Sequence, residues 1–143
     1  MGMQIEGLTP FEQEEALKKL VLRKKILELQ GKQKDDFLLF VRSVWPEFIA
    51  GNHHKIIAKK FEAIANKGIK RLIVNMPPRH TKSEFASFLF PAWMMGREPR
   101  LKIIQTSHTA ELAQRFGRKV RNLIDTPDFQ NIFPGLELSA DSK

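Results

Sequence analysis

Apolar residues recur along this chain with two periods, and the period changes near residue 70. Leu17, Leu20, Val21 and Leu27 repeat at helical spacing, with Lys18, Lys19, Arg23, Lys24 and Lys25 covering the other side. Thr9-Pro10-Phe11-Glu12 is a capping box with proline at the first helical position, so a helix is predicted from there to about Gln30, stopped by Gly31. Asp35-Asp36 opens a second, short and very apolar helix, FLLFVRSVW, which Pro46 ends. PEFIAGN reads as a loop. The spacing of Ile57, Phe61 and Ile64 predicts a third helix from His53 or His54 to Asn66, closed by Gly68.

RLIVNM, residues 71–76, then forms a short β-rich run. A helix is predicted from about Thr81 to Met95, kinked or ended early by Pro91. LKIIQTSH is a second apolar run, and Thr109 caps a last helix reaching about Asp125. Leu112, Phe116, Val120, Leu123 and Ile124 make one stripe on it, the pattern of a helix lying on a sheet. The tail TPDFQNIFPGLELSADSK reads as loop. Strand, helix, strand, helix predicts an α/β fold with parallel strands and right-handed crossovers. The loops after Met76 and at TSH then share the strands' carboxyl edge, where open α/β sheets bind ligands. Two strands do not make a stable parallel sheet, so further strands are expected.

The 143 residues suit about one domain. With no cysteine, a disulfide framework and a thiolate metal site are excluded, and an intracellular protein is expected. The N-terminus has no apolar core of a secretory signal, and FASFLFPAWMMG is too short to span a bilayer, so no membrane association is expected. Against 16 acidic residues stand 24 basic ones, giving +8 and a pI near 9.9. That balance favours a polyanionic partner, nucleic acid first. The basic run of the first helix is either a solvated face or a docking arm.

Candidate chemistry sits where the first strand hands over to a helix, at PPRHTKS. A phosphate-binding loop needs converging backbone amides, an ammonium, and a hydroxyl for Mg²⁺. Counting back from Lys82-Ser83, the usual pattern asks for glycine where this chain has Met76 and Thr81. Pro77 and Pro78 stiffen the turn by another route, and Arg79 adds a charge within reach of a γ-phosphate. Lys82 and Ser83 keep their offsets at the helix start. The plain alternative is a strand-to-helix turn carrying an exposed basic residue.

LIVNMPPRHTKS resembles the variant phosphate loop of large terminase subunits, the DNA-packaging motors of tailed phages. In many of these the loop reads as two prolines, arginine, histidine, a small residue, lysine and serine; Thr81 stands here in place of the usual glycine. The resemblance extends over roughly residues 37–135, through FVRSVWPEFIAGNHHKIIAKKFEAI, IIQTSHTAELAQRFGRKVRNLI and TPDFQNIFPG. It implies an incomplete ASCE-type P-loop NTPase sheet flanked by helices over residues 35–143, preceded by a helical arm at 1–34. It also implies ATP and Mg²⁺ as cofactors. Lys82 then holds the β- and γ-phosphates, Ser83 contacts the metal, and Arg79 senses or stabilises the γ-phosphate. Pro77, Pro78, His80 and Thr81 supply loop backbone, and His53 and His54 border the nucleotide, although a histidine at a helix start is also an ordinary surface or capping residue. Implied partners are double-stranded viral DNA, the portal and procapsid, the small terminase subunit and sister subunits in a ring, all in the host cytoplasm.

Hydrolysis in that class needs an apolar strand ending in Asp-Glu, and no such run occurs; Asp125 ends a helix and is followed by Thr126. No carboxylate cluster for a nuclease is evident either. The family's corresponding strand and its nuclease domain lie downstream of Lys143, so this polypeptide alone is expected to show no multiple-turnover ATPase activity. On the last helix Arg115, Arg118 and Lys119 are expected to share a face, with Arg121 beside them. They are candidates for DNA contact, or for action on a neighbouring subunit's nucleotide, or form a solvated surface. The rival readings are another ASCE-type translocase or helicase, and a non-enzymatic DNA-binding or assembly module whose loop holds no nucleotide.

Overall fold

The computed structural model describes residues 9–139; the first eight residues of the predicted arm and the last four of the chain lie outside them. Helix α1 runs from Pro10 to Asp35. Its capping box is formed: the Thr9 amide donates to Glu12 Oε2 at 2.7 Å and the Glu12 amide to Thr9 Oγ1 at 3.4 Å. The helix does not stop at Gly31. An interior glycine costs about 1 kcal/mol relative to alanine, and tertiary bonds outweigh that here. Gln30 Nε2 donates to the Asn131 carbonyl at 2.7 Å, Gln33 Nε2 to Ser43 Oγ at 2.7 Å, and Trp93 Nε1 to the Gln33 carbonyl at 3.1 Å. The expected one-sided apolar stripe is also absent. Leu17, Leu20, Val21, Leu22, Ile26, Leu27 and Leu29 are all exposed and point round the helix, and only Gln33 of α1 is buried.

Asp36 ends α1 and begins α2 (Phe37–Val44), accepting the Leu39 amide at 2.7 Å. A second cap comes from α3 (Asn52–Ala65), whose Glu62 Oε1 accepts the Phe37 amide at 3.0 Å. Next comes one continuous helical rod in three parts: α4 (Lys82–Glu84), a π-helical turn (Phe85–Leu89) and α5 (Phe90–Arg97). The π turn precedes Pro91, whose ring cannot sit against the carbonyl four residues back. That carbonyl, of Ser87, accepts from Gln105 Nε2 at 3.0 Å instead. Helix α6 (Ala110–Ile124) is capped by Thr109, as its sequence predicts. The predicted terminal loop contains a further helix, α7 (Pro127–Ile132), capped by Thr126.

The expected parallel sheet of a P-loop NTPase is contradicted. The described residues are 65% helix with no strand. Segment 71–76 does alternate, with Leu72, Val74 and Met76 turned toward the core and Arg71, Ile73 and Asn75 exposed. No backbone–backbone hydrogen bond joins it to 102–107 or to any other described segment. Alternation requires only one apolar face to cover, whereas a ladder requires a neighbouring edge about 4.8 Å away. Segment 71–76 meets the first condition and lacks the second, while in 101–108 neither Ile103 nor Ile104 is covered. Ile73 and Ile104 remain 86% and 90% exposed.

The core is helical and aromatic instead. Phe37 is fully buried, with Trp93 at 5.3 Å, Phe61 and Phe85 at 5.5 Å, Phe90 at 5.8 Å and Phe40 at 6.3 Å between ring centroids. Most of these pairs meet edge to face, the arrangement aromatic quadrupoles prefer. Phe129 and Phe133 extend the cluster from the α7 end. Helix α6 adds Val120, Leu123 and Ile124, packing on the π turn and α5 rather than on a sheet. No helix among the described residues is long and apolar enough to cross a membrane.

Candidate functional site

Pro77 to Thr81 link the alternating segment to α4 and lie largely in the open. Two residues of this link have left-handed backbones, Arg79 at φ 64° and Thr81 at φ 57°, while His80 between them does not. Left-handed residues of this kind occur in the backbone turns that present amides to anions. Thr81 thus adopts the conformation for which the usual pattern reserves glycine, although an L-residue gives up about 1–2 kcal/mol there. An open depression of about 420 Å³ lies over the loop, lined by Pro77, Pro78, Arg79, Thr81, Lys82, Ser83 and Glu84. Lys82 folds across it, its Nζ donating to the Met76 carbonyl at 3.2 Å. Ser83 is exposed at the start of the helical rod.

Two imidazoles, His53 and His54, stand behind the loop, and a third, His80, belongs to it. His54 is buried, at 7% exposure, with Phe48 and Phe85 rings at 4.8 Å and 5.0 Å. Its Nδ1 accepts the Gly51 amide at 2.9 Å, and its Nε2 lies 2.6 Å from Thr81 Oγ1. The Thr81 hydroxyl in turn donates to the His80 carbonyl at 2.7 Å. Burial holds His54 below the usual imidazole pKa, and the neighbouring His53 and His80 add to the effect. His53 Nε2 is 3.1 Å from His54 Nε2, and its ring centroid is 5.7 Å from that of His80. Sequence reasoning offered both His53 and His54; His54 bonds to Thr81, while His53 meets the loop at the His80 ring. The helix-start position of His54, three residues after Gly51, signals only its cap to the Gly51 amide.

No protein-family model matches this chain, and neither a curated protein nor a solved structure does. The site is therefore read from its own chemistry.

The basic residues of α6 do not act as one face. Arg115, Arg118 and Arg121 are exposed, and Arg121 donates to Asn122 Oδ1. Lys119 turns the other way. Its Nζ pairs with both oxygens of Glu84, at 2.7 Å and 3.0 Å, and lies 5.4 Å from the Phe88 ring centroid. It links α6 to the rim of the loop depression instead of joining the arginines. Among the described residues no group of three or more His, Asp or Glu is placed to hold a metal ion. A single hydroxyl such as that of Ser83 nonetheless suits Mg²⁺, which keeps most of its shell as water and phosphate oxygens.

Proposed function

We propose that the loop from Pro77 to Ser83 binds the phosphate tail of ATP, and that the chain is the nucleotide-binding part of a DNA-packaging terminase large subunit. The observation that carries this reading is the paired left-handed backbone at Arg79 and Thr81, directly before Lys82 and Ser83. Each role follows from reach and charge. The amides of 79–81 take the phosphate oxygens, and Lys82 exchanges its bond to the Met76 carbonyl for the β- and γ-phosphates. Arg79, exposed at the tip, is positioned for the terminal phosphate. Ser83 Oγ would hold a Mg²⁺ that arrives with the nucleotide, and the ion's contribution there is to offset phosphate charge.

This binding chemistry rests on the loop, an ammonium and a hydroxyl, and needs no sheet. DNA, procapsid, small subunit and ring partners belong to the same reading through the motif resemblance. A second reading, a DNA-binding or assembly module with no nucleotide, is favoured by the helical fold and by the exposed arginines of α6.

Thermal denaturation with Mg-ATP separates the two. At about 100 times Kd, bound ATP adds roughly 2.7 kcal/mol to stability. The expected outcome is a raised melting temperature that Lys82→Ala abolishes. No shift in the folded wild-type chain would favour the module.

A further inference from the structure

Thr81 has a costly backbone conformation, and one contact from across the fold explains how it is kept. The hydroxyl's single proton is committed to the His80 carbonyl, so at 2.6 Å from His54 the oxygen must accept. His54 Nδ1 already accepts from the Gly51 amide. The neighbours thus assign one protonation state to the ring: neutral, with the proton on Nε2. We propose that His54 is a positioning residue for the loop, a neutral strut whose Nε2–H bond to Thr81 holds that residue left-handed and keeps the amides of 79–81 converged.

Adding a proton would leave the Nε2–H bond to Thr81 in place and unseat the strut at its other end. Nδ1–H would face the Gly51 N–H, donor against donor. The titratable groups facing the ring are His53 from its own helix and His80 from the loop. From the 45–51 loop and the π turn it meets the Gly51 amide and the rings of Phe48 and Phe85, none of which stabilises the added charge as water does. Loop order should therefore fall on acidification, along the titration of this ring.

The inference deepens the ATP-binding reading, and a double-mutant cycle tests it with Mg-ATP as the probe. His54→Asn, whose shorter amide can keep the Gly51 contact but does not reach Thr81, weakens binding about tenfold, the cost of an unsupported left-handed threonine. In the Thr81→Gly background the backbone needs no support, and the same change alters Kd less than twofold. An equal loss in both backgrounds overturns the proposal. A ligand-free measurement keeps its failure distinct from failure of nucleotide binding. Nitrogen-15 NMR of the full chain should show His54 protonated at Nε2, with the amides of Arg79 to Ser83 shifting along its titration. The other tautomer, or loop amides indifferent to that titration, refutes the strut even if ATP binds. The expected spectra without ATP binding would sink only the nucleotide reading.

Discussion

His54 packs on Phe48 and Phe85 with one nitrogen bonded to the chain before α3 and the other to the loop, so its proton has consequences for stability. Its folded pKa is lowered from the ordinary value of 6.5, first by burial and then by His53 and His80. Below 6.5 the unfolded chain takes up a proton that the folded chain resists. Stability from this residue is therefore present above pH 6.5 and is lost as pH falls through the lowered folded value. Urea denaturation from pH 7.5 downward should show the midpoint falling first in this window, with the His54→Gln protein lacking that part of the fall. The candidate loop was largely legible from residue types. Lys82, Ser83 and the exposed Arg79 stand at its rim, and Thr81 takes the positive φ for which glycine is usual. The His54 contact was not legible, because 27 residues separate the partners and no local rule connects them.

At the scale of elements, the helix ends follow short-range chemistry, and their interiors follow packing. Thr9, Asp36 and Thr109 stand at caps that their sequence announces. Thr126 does the same for α7, with proline at the first helical position, in a segment whose turn formers read as loop. Gly96, by contrast, matters through a close approach. A Cβ added there would lie 2.5 Å from the Phe133 ring, so α5 can meet the end of α7 only with hydrogen at that position. Gly96→Ala should cost about 1–3 kcal/mol in chemical denaturation, with an unchanged denaturant slope. On α6, Arg118 is exposed while Lys119 is engaged by Glu84. Arg118→Glu should weaken binding to duplex DNA and lower the magnitude of the salt slope by about 1, read from titrations at several salt concentrations. Lys119→Glu places two carboxylates together and should disturb the loop rim as well as any DNA contact.

For the whole molecule, binding a nucleotide and turning it over are separate requirements. Among the described residues no Asp-Glu pair stands beside the loop, and Glu84, the carboxylate on its rim, is paired with Lys119. A steady-state phosphate-release assay on this polypeptide should therefore give no turnover above the Lys82→Ala background. The order of the helices before α7, most of their caps and the place of the loop could be read from sequence alone, because capping and helical periodicity act within a few residues. Whether the two β-rich runs pair was a different kind of question. Alternation states which side chains face the core, but a hydrogen-bonded ladder depends on a neighbouring edge, and here the second run meets a helix instead, Gln105 donating to the Ser87 carbonyl. Only the tertiary structure decided that, as it decided that α1 continues past Gly31 and that a buried histidine stands behind the loop, because each outcome depends on groups distant along the chain.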